Sequence, residues 1–131
     1  MTRRSFHGTH VDFDPIVMWP KPVQSPYPPI LVGGLGPHSL HLAAEHGDQW
    51  LPIVTDLEEF DVHRARLTDL CEQVGRAPLE MTACLFEADE RLMSGCAERG
   101  VDRCVVVAPT QDRASLERFL EQCAELRDRA G

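Results

Sequence analysis

Four short apolar runs, each followed by a segment with helical spacing, constrain this chain more than any other feature. The runs are Ile30-Leu31-Val32, Trp50-Leu51-Pro52-Ile53-Val54, Leu79 to Phe86 and Val101 to Ala108. Pro37 to His46 follows the first run, with proline at its start and Gly47 just past its end, the usual asymmetry of a helix. Leu40, Ala43 and Ala44 form its apolar face. After the second run, Thr55 and Glu58 fit a capping box, and Leu57, Phe60, Leu67, Leu70, Cys71 and Val74 continue at helical spacing to Gly75. A shorter helix is expected from Asp89 to Arg99, closed by Gly100. Leu116, Phe119, Leu120, Cys123 and Leu126 mark a last one. Strand and helix alternate throughout, the rhythm of right-handed βαβ units and a parallel sheet. The continuous run Cys104-Val105-Val106-Val107 predicts a strand covered on both faces.

The α/β pattern begins only at residue 30. Seven of the ten prolines lie in residues 1–37, so residues 1–29 read as a Pro-rich extended, loop-like segment leading into a single domain over 30–131. A chain of 131 residues can bury one core. Four βα units do not close a barrel, which takes eight. The pattern therefore leaves a small doubly wound, flavodoxin-like sheet or half of a barrel.

Charge narrows the partners. There are 21 acidic and 13 basic residues, and 17 of the acids follow residue 50. An acidic surface disfavours nucleic acid and anionic membranes. No apolar stretch is long enough for a membrane span, and no apolar run follows the basic start Arg3-Arg4, so a cytoplasmic location is expected. Cys71, Cys84, Cys96, Cys104 and Cys123 form no CxxC pair and are odd in number. Free buried thiols are expected, and zinc is not.

The most specific text runs from Pro20-Lys21-Pro22-Val23-Gln24-Ser25-Pro26-Tyr27-Pro28-Pro29-Ile30 to Leu31-Val32-Gly33-Gly34. It continues through Gly36-Pro37 and Leu42-Ala43-Ala44 to Gly47-Asp48-Gln49-Trp50. This resembles the luciferase-like monooxygenase family, whose pattern there is PKPxQxPxPPIxxGG, an alanine pair, then GDGW. Gln49 departs from it, standing where the pattern has glycine. Gly100-Val101-Asp102-Arg103 resembles the approach to the family's last strand. The resemblance covers residues 5–127 and implies barrel strands five to eight: a (β/α)4 half of a TIM (β/α)8 barrel, preceded by the Pro-rich segment. It implies a truncated, C-terminal part of a flavin- or coenzyme F420-dependent oxidoreductase, with hydride or oxygen chemistry at bound FMN or F420 and a small organic substrate. The family's proton-transfer and substrate residues lie largely in the other half and have no positions here.

What the resemblance does place is a cofactor-facing loop at Gly33, Gly34, Leu35 and Gly36. The physics is compatible: a glycine turn between strand and helix lets backbone approach a ligand, and a helix N-terminus at Pro37-His38-Ser39 favours an anion. Residues at the carboxyl ends of barrel strands are the default active-site positions. Thr55, Glu87 and Thr110 are the polar candidates there for substrate contact, with helix capping the competing reading for Thr110 and Glu87. Trp50 reads as a barrel-filling core residue. His7, His10, Asp12 and Asp14, and the pair His38 and His41, have tempting metal spacings, but no metal is expected. A half-barrel exposes two strand edges and an apolar face, so a homodimer or a complementary N-terminal half is expected as partner. The other reading is a non-catalytic remnant or dimerising interaction module of the same fold.

Overall fold

The computed structural model describes residues 4–17, 19–109 and 112–130. Strands β1 (Arg4–His7) and β2 (Asp12–Ile16) are followed by β3 (Leu31–Gly33), α1 (Pro37–His46), β4 (Gln49–Leu51) and α2 (Leu57–Gln73). The chain ends with β5 (Glu80–Leu85), α3 (Glu90–Glu98), β6 (Arg103–Val106) and α4 (Arg113–Ala130). β3 to β6 form one parallel sheet in the order β3-β4-β5-β6. Strand order follows chain order without reversal. A doubly wound sheet has a switch point where the order reverses, so the flavodoxin-like alternative is excluded. Right-handed crossovers are the rule for parallel strands and put successive helices on one side; α1 packs on α2, α2 on α3 and α3 on α4, as in a barrel wall.

The register assigns the two faces. Val32, Trp50, Pro52, Val54, Ala83 and Leu85 point to the helices and are buried. Leu40, Ala43 and Ala44 of α1 and Phe60, Leu67, Leu70 and Cys71 of α2 complete that core. Val74, expected on the same stripe, is exposed at the end of α2. The opposite face carries Leu31, Ile53, Phe86, Val105 and Val107, exposed at 41–53%. This corrects the expectation for the last strand. Cys104 and Val106 are half-buried under the helices while Val105 and Val107 face outward, because no second layer covers that face among the described residues.

Trp50 is core, but not inside a barrel. It is fully buried on the helix side and stacks on Phe60, with centroids 5.8 Å apart and ring planes 9° apart. The guanidinium of Arg64 lies 5.9 Å from the centroid of the same Phe60 ring. Arg64 also donates to the carbonyl of Arg99 (2.7 Å), and Arg99 Nε donates to both carboxylate oxygens of Asp61 (3.0 and 2.9 Å). The Arg64 and Arg99 hydrogen bonds thus tie α2 to the end of α3, while the ring stack ties α2 to β4.

Two local expectations need amending. The cap of α2 is Asp56, not Thr55: its carboxylate accepts from the N–H groups of Glu58 and Glu59 at 2.9 and 2.8 Å. A carboxylate at this position satisfies two free donors and meets the positive helix end, which outcompetes a hydroxyl one residue earlier. The Pro-rich segment also contains structure that its composition hid. β1 and β2 form an antiparallel hairpin, with Phe6 opposite Phe13 and their centroids 6.3 Å apart. Both strands are almost wholly exposed.

Replacing Asp56 with alanine should lower stability by about 1 kcal/mol in urea unfolding, while Thr55→Ala should stay within a few tenths. Trp50→Phe should keep the apolar bulk yet cost about 2 kcal/mol in the same assay, because it also removes the indole donor described below.

Candidate functional site

All four strands of the sheet point the same way, so Gly33–Gly36, Thr55 and Glu87 lie at one end of it, the carboxyl end. Thr110 lies outside the described residues. Thr55 and Glu87 are exposed there.

The glycine loop is held from several sides. Gly34 has φ +105°, a backbone region that L side chains rarely adopt. A Cβ on it would also sit 2.7 Å from Ser39 Oγ. The buried Trp50 indole donates to the Gly34 carbonyl at 2.9 Å. Leu35 packs against the core, leaving its backbone as the part available to a ligand. Gly36 is the N-cap of α1 and makes no side-chain cap. Nothing lies within 4 Å of where its Cβ would be. Pro37 opens the helix without an N–H of its own, so the first-turn donors are those of His38 and Ser39.

The motif on which the family resemblance rests therefore has a mechanical meaning. The Asp48 carboxylate accepts from the Ile30 N–H at 2.8 Å, and the N–H groups of Asp48 and Gln49 donate to the Ile30 carbonyl at 2.8 and 3.1 Å. Asp48 pins the start of β3 and Trp50 pins the turn at its end. Gly47 permits close packing, since a Cβ there would meet the Ala43 carbonyl at 2.9 Å. Sequence reasoning missed these roles for Asp48 and Trp50; the signal was their position in the motif. Gln49, the departure from the pattern, lies on the open face. Its amide donates to Glu80 at 2.8 Å and accepts from Thr82 at 3.3 Å, covering a threonine only 2% exposed.

The metal-like spacings resolve into local structure. His7 and Asp12 face each other across the β1–β2 turn, hydrogen-bonded at 2.8 Å. His38 and His41 are exposed on α1. Among the described residues, no group of three or more His, Cys, Asp or Glu side chains is arranged to hold a metal ion. No helix among them is long and apolar enough to cross a membrane. Two of the larger surface grooves lie away from the loop. One of about 390 Å³ runs along α2, lined by Asp61, Arg64 and Thr68. One of about 520 Å³ sits at the amino ends of the strands, beside Asp48, Arg76 and Glu80.

The loop's features suit an anionic group: open backbone at Gly36, uncapped helix donors, and no acidic side chain in the first turn of α1. No curated protein matches the chain significantly. The family model for the luciferase-like monooxygenases matches residues 1–127. That match takes in the lead-in segment, the glycine loop and all four βα units, and on it this chain belongs to the luciferase-like monooxygenase family.

Proposed function

We propose that this chain is the C-terminal part of a flavin- or F420-dependent luciferase-like oxidoreductase, supplying half of the barrel wall and the loop that receives the cofactor's anionic tail. The observation that carries this reading is the Gly33–Gly36 turn. It stands at the carboxyl end of β3, opens onto the uncapped first turn of α1, and is fixed by the Trp50 indole. When bound, FMN or F420 supplies hydride or oxygen chemistry at its ring. The chain's own residues bind and orient. The backbone at Gly36 and the N–H groups of His38 and Ser39 hold negative charge, where the helix dipole adds to the hydrogen bonds. Glu87, Thr55 and Thr110 are the proposed contacts for a small organic substrate on the same rim.

The open sheet face belongs in the same proposal. Exposed Leu31, Ile53, Phe86, Val105 and Val107 are the side chains that would fill a barrel interior. The covering strands come from a second copy of the chain or from a complementary N-terminal half.

Titration of the purified chain with FMN and with F420, read by fluorescence, tests the reading, with sedimentation velocity on the same sample. Micromolar binding by a dimer supports two half-barrels that rebuild a pocket. Binding only after the complementary half is added supports a split enzyme. A folded chain that binds neither cofactor under either condition overturns the cofactor role and leaves an interaction module.

Gly36→Val has room for its side chain and an ordinary backbone conformation (φ −69°, ψ 158°). It should lower stability only by the roughly 0.5–1 kcal/mol that separates glycine from valine at an N-cap, leaving the chain folded, and weaken cofactor binding about tenfold, roughly 1.4 kcal/mol. Gly34→Ala should lower the melting temperature itself, since it strains the turn and crowds Ser39.

A further inference from the structure

Two unpaired edges and one uncovered face belong to the same sheet. The order β3-β4-β5-β6 leaves the outer side of β3 and the outer side of β6 without a strand among the described residues. Each such edge is a row of backbone donors and acceptors, a template for one more strand. The helix after β6 has a free flank as well. The Gln122 amide donates to the Ala88 carbonyl at 3.1 Å, which turns that side of α4 toward the start of α3. Leu120, two residues away and so across the helix, is 57% exposed. A groove of about 360 Å³ lies between β6 and α4, with Cys104, Val106, Cys123 and Arg127 on its walls.

The open face is divided by height. Toward the carboxyl ends it is apolar, with Ile53, Phe86, Val105 and Val107. Toward the amino ends its polar residues gather: Gln49, Glu80 and Thr82, with Arg103 in register beside Thr82. Glu80 and Arg103 are the charged strand residues of this face, one of each sign. Glu80 accepts the Gln49 amide at 2.8 Å, and Arg103 makes no hydrogen bond or ion pair among the described residues. The face is therefore neutral on a chain whose net charge is −8. Two such chains repel through their acidic surfaces, and on this face the repulsion is absent.

We propose that the occupant of the open face is a second copy of the chain, related by a two-fold axis parallel to the strands, with β6 of each copy pairing in parallel with β3 of the other. The proposal rests on the half-barrel reading above and chooses between its two partners. Eight parallel strands close, and all four free edges disappear. An axis along the strands keeps every residue at its own height. Glu80 and Arg103 of one copy then come level with the same two residues of the other, a polar layer of two carboxylates and two guanidiniums with no net charge. Above it, apolar side chains meet apolar side chains. The same patch serves both copies, as a two-fold interface requires. The β3 edge of one copy covers the groove and the Leu120 flank of the other. Both Gly33–Gly36 loops come to one rim, so one copy alone has only part of the pocket.

Sedimentation equilibrium of the full chain at micromolar concentration should give twice the mass of one chain. Glu80→Arg makes the face doubly positive and Arg103→Glu makes it doubly negative. Each variant alone should keep its circular dichroism spectrum and self-associate about tenfold more weakly or worse. An equimolar mixture of the two should recover the wild-type affinity, since each supplies the sign the other lacks, and native mass spectrometry should show the mixed dimer. In the wild type, amide hydrogen exchange of concentrated against dilute protein should show protection gained at Leu31–Gly33 and Arg103–Val106 together. A wild-type chain that stays monomeric overturns the second copy and leaves the cofactor reading to the complementary half. A dimer whose edge strands gain no protection, or one indifferent to both charge reversals, overturns the closure as well. Where a variant does not fold, the wild-type mass and exchange decide the matter.

Discussion

The contact on which the rest depends is the one between the Trp50 indole and the Gly34 carbonyl, 2.9 Å long. One side chain does two things that pull in different directions. Its ring must be buried against Phe60 to stabilise the sheet-to-helix core, yet its N–H cannot be buried without an acceptor. The turn after β3 supplies that acceptor at Gly34, whose φ is positive. Core packing and loop geometry are therefore a single solution, and the loop reaches the rim of the sheet already shaped.

The same logic appears twice along the chain. Asp48, leaving α1 for β4, pins Ile30 at the start of β3 by its carboxylate and its own N–H. Asp102, leaving α3 for β6, does the same to Met81 on β5, at 2.8 Å from the carboxylate and 3.0 Å from the backbone. Each clamp acts across one crossover, holding a strand to the next. Short strands of three to six residues have few ladder hydrogen bonds, and these clamps supplement them. Pro52 interrupts the ladder between β4 and β5. The bonds from Cys84 to the Pro52 carbonyl and from Val54 to the Cys84 carbonyl resume it beyond.

The sheet is finished on one side only. Its helix face is dense and includes a stacked aromatic pair and the buried Cys71 and Cys96. Its other face shows aliphatic and aromatic side chains around a small polar cluster of Gln49, Glu80 and Thr82. The carboxyl rim proposed to receive the cofactor is where both faces meet, so the state of the open face bears directly on whether that rim forms a complete pocket.

The order of the four βα units, the bounds of α1 and the helix-facing core were legible in the sequence, because proline, glycine and apolar spacing act within a few residues of each other. The glycine turn was legible for the same reason. The cap of α2 was misplaced by one residue because Thr55 and Asp56 are both good caps and only the backbone path selects between them. The hairpin of β1 and β2 was hidden by proline-rich composition; its pairing joins residues across a turn that no period announces. Tertiary structure alone decided that strand order runs without reversal and that Val105 and Val107 face outward. It alone decided that Trp50 reaches Gly34. Local sequence governs which residues can form a strand or a helix. Contacts between residues far apart in the chain depend on how the strands register in space, and that is set only when the sheet assembles.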